Sequence, residues 1–534
     1  VARWTTTIIG GVVDQFVLLM LVLLGALVTV PLGDRLGLPA PVLMTLYGIV
    51  LALLPFVPDV NISPELVLPA LLPPLLYAAA SRTSWRQFAA NWRPIFLLAV
   101  ALVFVTTAAV AGVAHALVPG LSLAAAAALG ALVAPPDPVA ATSVAGALGL
   151  PRRLVSLLEG EGLFNDVTAI VLYHVAIAAA VTGSFSWPVA AGELVLSAVV
   201  AVVIGFGAGW VAARLTSLLG DTTLQIGLSV MVPYVSYVPA DQLGGSGVLA
   251  VLTTAFYLRE KTSDADDSVG RLTAAAFWQV IDTLVTGVAF GLIGLELHNV
   301  LGTVTGQFGR VIGWSLVVVA VVVGVRLLWL LPSTALARRW HRTRGDDFET
   351  PMSWRETVVM WWAGMRGVAS VALALAIPLE IPQRDVLVLI AFAVILATLL
   401  IQGLTLPWVV RRLGVQADTA AERAFERKLA KQAAGAARQR LREIVDTEQV
   451  PDDLVEMLTR RLTEIAVRLS PEMAGEERRE AFGQRLERIR EIRRINDEMM
   501  SAARQAVLDA RREPGADPEV ISRVLRQLDL RNLA

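Results

Sequence analysis

The chain contains no cysteine. That excludes a disulfide framework, a thiolate nucleophile and any cysteine metal site. Histidine is nearly as scarce: the four in 534 residues are too scattered to form a metal site. Charge is thin as well. Asp, Glu, Lys and Arg make up 17% of the chain, where a soluble protein carries about 25%. The formal net charge of -1 gives no general case for nucleic-acid binding. No P-loop and no dinucleotide fingerprint occurs, so ATP hydrolysis and nucleotide chemistry have no candidate site. The chain reads as a protein without a cofactor and not as an enzyme.

What fills it instead is apolar sequence, 55% of all residues. Most of the charge lies after Arg411, and the residues before it are dominated by long apolar runs. Runs of about 20 such residues read as transmembrane helices. Thirteen are expected, over 12–32, 39–57, 63–80, 94–117, 121–148, 156–181, 188–213, 222–239, 242–258, 272–298, 311–331, 354–378 and 384–409. The first reads as a spanning helix rather than a cleaved leader. Lys and Arg concentrate in alternate loops: Arg35; Arg82, Arg86 and Arg93; Arg152 and Arg153; Arg214; Arg259, Lys261 and Arg271; Arg338 to Arg355; Arg411 and Arg412. The opposite loops hold little beyond Arg310 and Arg384. This bias puts the N-terminus outside and the C-terminal tail in the cytoplasm. The expected fold class is an all-α polytopic membrane protein in the cell inner (plasma) membrane, with the bilayer as its first partner. Its domains are a membrane domain over 1–415 and a helical cytoplasmic tail over 416–534.

In the tail, FERKLAKQAAGAARQRLREIV reads as a charged amphipathic helix. So does the stretch carrying Leu486, Ile489, Ile492 and Ile495 at helical spacing. Pro451, Pro471 and Pro514 divide the tail into short helices. A small helical bundle accounts for the pattern. A regulatory ligand or protein partner is compatible with it.

Two stretches in the membrane domain carry chemistry. In APPDPVAATS, at 134–143, Asp137 lies between Pro136 and Pro138 inside an apolar span, with Pro135 one place earlier. Each proline removes a donor and disturbs the helix. Broken helices survive in membranes where they line a cavity or are buried in protein. An acid at such a break suits a cation site in a transporter; the alternative is a loop at the membrane surface. In GEGLFNDVTAIVLY, at 160–173, Asn165 and Asp166 are adjacent on the sixth span. An ionised carboxylate in hydrocarbon is costly. Asp166 can therefore take a proton, or a small cation that supplies the missing charge. One carboxylate that must choose between them is the minimum machine for exchange. Asn165 adds an amide oxygen or a hydrogen bond that staples helices.

Glu159 and Glu161 open the same helix. Glu161 lies about 140° round the helix from Asp166, so it wants a different partner. Arg366, the one charged residue between Glu356 and Glu380, stays ionised inside a span and needs an anion. The sequence therefore pairs Glu161 with Arg366. The alternatives are an Arg366 that snorkels to the surface, or one that meets Glu159. Each of Asp241, Asp282, Glu296 and Arg326 fits packing and the lining of a vestibule equally well.

At this point the chain resembles a known family. LLPPLLYAAA at 71–80, PPDPVA at 135–140, GEGLFND at 160–166, SGVLAV at 246–251, FGLIGLEL at 290–297, GMRGVAS at 364–370 and LIQGLTLPWVVRRLG at 400–414 occur in order. Together they resemble the bacterial sodium/proton exchangers of the cation/proton antiporter family, which also contains the animal plasma-membrane exchangers. The resemblance covers about 12–415 and leaves the tail out. It implies that Asp166 is the essential ion-binding aspartate, with Asn165 its neighbour in a pair associated with electroneutral exchange. It implies that Asp137 is the aspartate of a crossed, unwound helix, and that Glu161 and Arg366 are a structural ion pair. It further implies a six-helix core with an inverted repeat and broken crossing helices, beside a dimerisation domain. The chain would be a homodimer that carries Na⁺ one way and H⁺ the other by elevator-like movement, and would serve pH homeostasis. The chain departs from the family at Pro136, Gly162 and Ala78, where Thr, Ser and an acidic residue are common. The departures leave Na⁺, K⁺ and Li⁺ open as the transported ion. The alternatives are a K⁺/H⁺ or broad-specificity exchanger, or a gated cation channel, which would show no competition between proton and cation.

Overall fold

The computed structural model describes residues 2–54, 64–82, 92–142, 148–183, 187–262, 268–303, 308–344, 352–416, 419–448, 450–469 and a few positions between 494 and 509. The chain forms two compact units, Val1–Ala417 and Asp418–Ala534.

The first unit is built of helices: α1 (Ala2–Leu36), α2 (Ala40–Ala52), α3 (Pro64–Arg82), α4 (Trp92–Leu117), α5 (Leu123–Val133), α6 (Pro138–Thr142), α7 (Arg152–Thr182), α8 (Trp187–Leu218), α9 (Thr222–Gln242), α10 (Gly247–Thr262), α11 (Ser268–Thr303), α12 (Phe308–Arg344), α13 (Trp354–Trp362), α14 (Val368–Leu375) and α15 (Arg384–Leu413). Their ends follow from sequence. Ser122 caps α5 by accepting from the Ala125 N–H at 3.1 Å. Asp221 caps α9, accepting from Leu224 and Thr223 at 3.1 and 2.7 Å. Those hydrogen bonds hold its carboxyl below the usual carboxylate range. Ser353 and Glu356 form a reciprocal capping box on α13.

Among the described residues seven helices are long and apolar enough to cross a bilayer: the Phe16–Leu36 part of α1, then α4, α7, α8, α11, α12 and α15. Their outer faces are apolar too. On α8, Leu196, Val203 and Trp210 follow one another at seven-residue spacing and are all exposed. A helix that shows hydrocarbon outward is made for lipid. The chain is an all-α polytopic membrane protein. The expected crossings over 63–80, 222–239 and 242–258 are helices α3, α9 and α10, of 19, 21 and 16 residues, with prolines or charged ends. Length and composition alone do not make them crossings.

The unit has one large buried cluster, drawn from α4, α5, α7, α12, α14 and α15 with α1, α2 and α11 against it. A smaller cluster joins α3, α8, α9 and α10. The two expected spans at 121–148 and 354–378 are each interrupted: α5 stops before 134–137, and α13 stops before 363–367. The first break is the one its prolines dictate. The second has no proline; residues alone gave a continuous span there. The two breaks cross, and the Asp137 N–H donates to the Met365 carbonyl at 2.6 Å.

In the second unit, α16 (Thr419–Thr447) and α17 (Asp452–Leu469) pack together. The expected helix carrying Leu486, Ile489, Ile492 and Ile495 lies outside the described residues.

Candidate ion-binding site

The site is assembled from carbonyls and carboxylates that the two breaks set free. Asp137 gives its N–H to Met365, so the Val133 carbonyl loses its helical partner; Pro138 has no N–H, so the Ala134 carbonyl loses its own. Arg366 takes both. Its Nε donates to Val133 O at 2.9 Å and its Nη2 to Ala134 O at 3.3 Å, while Nη1 donates to Gly364 O. The guanidinium therefore sits on the carbonyl end of α5, where a cation is favoured. Arg366 is 2% exposed and does not snorkel.

The expected pair of Glu161 with Arg366 is thereby corrected. Glu161, 1% exposed, meets Arg326 of α12 instead, in a two-pronged contact with Nη1 and with Nη2 at 2.9 Å. Arg326 also donates to Met360 O from Nε at 3.3 Å and Nη2 at 3.1 Å, at the carbonyl end of α13. Arg366 remains within electrostatic reach of both. The physical reason is that freed backbone carbonyls are partners for arginine too. The same test that flagged Arg366, a lone cation deep in an apolar span, applies to Arg326 between Arg310 and Arg338, and could have found the pair.

Asn165 is fully buried; its Nδ2 donates to Pro136 O at 2.8 Å, stapling α7 to the first break. Its Oδ1 has no partner among the described residues. Gly162 faces Pro138: a Cβ there would lie 2.1 Å from the proline Cγ, so any side chain at this position would push α7 or the break aside. Gly367 faces Asp137, where a Cβ would lie 1.7 Å from Oδ2. The Asp137 carboxylate accepts from the Val139 N–H at 2.8 Å and faces the Val368 N–H, so the starts of α6 and α14 both point at it.

Asp137 and Asp166 line one cavity of about 310 Å³ together with Glu159 and Asp282. Among the described residues neither Asp137 nor Asp166 forms an ion pair with a basic side chain. The two lie within electrostatic reach of one another, so when both are ionised they repel. Such a pair is completed by a cation or a proton. Of the residues divided between packing and vestibule, Asp282 lines this cavity, Arg326 is buried packing, and Asp241 is exposed at the end of α9.

Crossed half-helices around Asp137 and Asp166 inside a polytopic bundle are the arrangement of an ion site in a secondary active transporter. The family model described as "Sodium/hydrogen exchanger, transmembrane" matches residues 19–412. An uncharacterized Na⁺/H⁺ exchanger of Mycobacterium tuberculosis is 34% identical over 97% of this chain and 96% of its own. The Na⁺/H⁺ antiporter ApNhaP of Aphanothece halophytica is 32% identical over 79% of this chain and 78% of its own. In fold, the chain is similar to the solved sodium proton antiporter MjNhaP1 of Methanocaldococcus jannaschii. The TM-score is 0.56 at 20% identity, over 75% of this chain and 98% of that one. The chain belongs to the sodium/hydrogen exchanger family and is a secondary active antiporter of Na⁺, or a related monovalent cation, against H⁺.

Proposed function

We propose that the chain exchanges one monovalent cation, Na⁺ in the first place, for one proton at a single site centred on Asp166, with Asp137 as its partner and Asn165 as the brace. The observation that carries this is the shared cavity in which Asp137 and Asp166 form no ion pair with a basic side chain of the described residues. Asp166 binds the ion or the proton in turn. Asp137, held by backbone N–H groups, stays put. With one carboxylate changing protonation, no net charge crosses per cycle.

Glu159 lines the same cavity about 10 Å nearer the Arg152 end of α7 than Asp166 does. The cavity therefore extends toward the end of α7 bearing Arg152 and Arg153, which the Lys/Arg bias makes cytoplasmic. In this reading the inward face is accessible, the N-terminus is outside, and residues 416–534 form a cytoplasmic tail. The remainder of the reading rests on the resemblance: thirteen crossings, an inverted repeat relating the two broken helices, an elevator-like core, a homodimer in the cell membrane, and a role in pH homeostasis. The ion-chemistry domain is 1–415, because every proposed ligand lies within it.

The test is proton flux in vesicles holding the purified chain, driven by Na⁺, K⁺ or Li⁺ gradients. The expected result is saturable, cation-driven proton movement that Asp166→Asn abolishes. Proton movement without cation dependence, or undiminished exchange in the variant, overturns the reading.

A further inference from the structure

One face of α11 closes the cavity opposite the broken helices. Asp282, Thr286 and Phe290, each four residues from the next, all line it. This helix packs chiefly against α2 and α1, not against α5 to α7. Its position is firmly set. A Cβ at Gly48 of α2 would lie 2.3 Å from the Gly291 carbonyl, and the Thr45 hydroxyl donates to Phe290 O at 3.2 Å. Asp282 thus enters the cavity from a separate, braced wall. It lies within electrostatic reach of Asp137.

The polar inventory of the cavity makes this wall matter. The α3 side offers Leu72, Leu75, Leu76 and Ala79, and the α14 side adds Ser370. The Thr142 hydroxyl is turned to Pro138 O at 2.9 Å. Thr286 Oγ1, by contrast, is buried and has no partner among the described residues. A buried hydroxyl without a partner beside carboxylates is short of one contact, and a dehydrated monovalent cation is short of several oxygens.

We propose that Asp282 and Thr286 bind the transported cation directly, forming with Asp137 and Asp166 a site shared between the broken-helix core and α11. The inference rests on the cavity being the transport site. A cation seated at Asp166 gains the Asp282 charge and the Thr286 oxygen. Because α11 stands outside the core, these contacts exist only while the core carries the ion past this wall. Asp282 and Thr286 then set affinity and selectivity on the accessible side.

The experiment measures apparent KM for Na⁺, K⁺ and Li⁺ in vesicles of the full chain, for wild type, Asp166→Asn, Asp282→Asn, Thr286→Val and Thr286→Ser. Asp282→Asn is expected to raise the Na⁺ KM by more than tenfold, with on the order of a thousandfold as the ceiling set by losing one charge about 4 Å away at effective protein dielectric. Thr286→Val is expected to raise it about threefold, the scale of one hydrogen bond, with Thr286→Ser restoring it. The ranking of the three ions shifts in both disruptive variants. Thr286→Val changes no charge, so it keeps the inference testable if Asp282→Asn does not fold. A wild-type KM in Thr286→Val overturns the inference. So does an equal rise for all three ions in Asp282→Asn, which would make that residue a distant field and not a ligand. A wild type that exchanges and an Asp166→Asn that does not, beside unchanged α11 variants, would sink this inference alone. Exchange surviving in Asp166→Asn would sink the transport-site reading beneath it.

Discussion

The two broken helices cross at one point, yet they are made in opposite ways. The first break, at 134–137, is written into covalent structure. Pro135, Pro136 and Pro138 lack the N–H groups a helix needs there, whatever surrounds them. The second, at 363–367, keeps all its donors. It stays open because tertiary partners outbid the helix. Arg326 occupies the Met360 carbonyl, the Asp137 N–H occupies Met365 O, and the Thr398 hydroxyl accepts from the Arg366 N–H at 3.2 Å. The proline break carries the acid, the glycine break carries the arginine, and each carbonyl end is covered by an arginine from elsewhere. A fixed break suits a ligand that must hold position. A break held only by contacts is the one whose contacts can be exchanged without altering the covalent chain.

The sharpest way to test that division is to remove the charge the breaks surround. Asp166→Asn should leave folded protein in the membrane, while cation-driven proton flux falls to the level of protein-free vesicles. Substantial flux would mean that the breaks frame something other than the transport site.

Next in size is the buried pair that braces the glycine break. Removing one partner of such a pair costs about 3–5 kcal/mol, because the other charge is left alone. Glu161→Gln and Arg326→Met should each lower the thermal midpoint clearly, and the double variant should recover part of the loss. Glu161→Gln combined with Arg366→Met should show much weaker coupling, since these two share no direct contact. Equal coupling in the two cycles would return Arg366 to the role the sequence suggested.

Which parts were readable in advance follows from the same contrast. The proline break, Asp137 and Asp166 were legible because proline and an intramembrane acid act through local chemistry, visible in one stretch of sequence. That the two share a cavity comes from the crossing in the fold and from neither stretch of sequence alone. The partner of Glu161 was not legible, because lone arginines at 326 and 366 both met the criterion and only packing decides between an acid and a freed carbonyl. Gly162 reads in the sequence as a lost hydroxyl; in the fold it is the contact surface for Pro138. Asp282 was undecided for a like reason: nothing in a single helix says which neighbour its face meets.

Gly367→Ala probes the point where the two breaks touch. A methyl there occupies the place of the Asp137 carboxylate, so Asp137 must turn away from the starts of α6 and α14. The expected result is a raised cation KM and slower exchange with the thermal midpoint largely kept. A wild-type KM would show that the position of Asp137 is not needed for ion binding.

The smallest effect should come from Thr398, and it bears most directly on how the glycine break is held. The side chain is 1% exposed and lies in a π-helical segment, Ala397–Gln402, within α15. Its hydroxyl donates to Val394 O at 2.8 Å and accepts from the Arg366 N–H. An inserted residue in a helix re-aims side chains, and such segments recur at functional positions. Here the re-aimed hydroxyl replaces a helical carbonyl as partner for a donor inside the break. Thr398→Val keeps the shape and deletes the acceptor, leaving that N–H buried and unpaired at a cost of about 1–3 kcal/mol. Thr398→Ser should restore most of it. Arg366 keeps its contacts to Val133 and Ala134, so the proline break is untouched and the apparent cation KM should move less than in Gly367→Ala. The measurement is thermal unfolding of the purified protein beside KM in vesicles. An unchanged midpoint in Thr398→Val would mean that the second break stays open without this contact, and that its opening is as locally determined as the first.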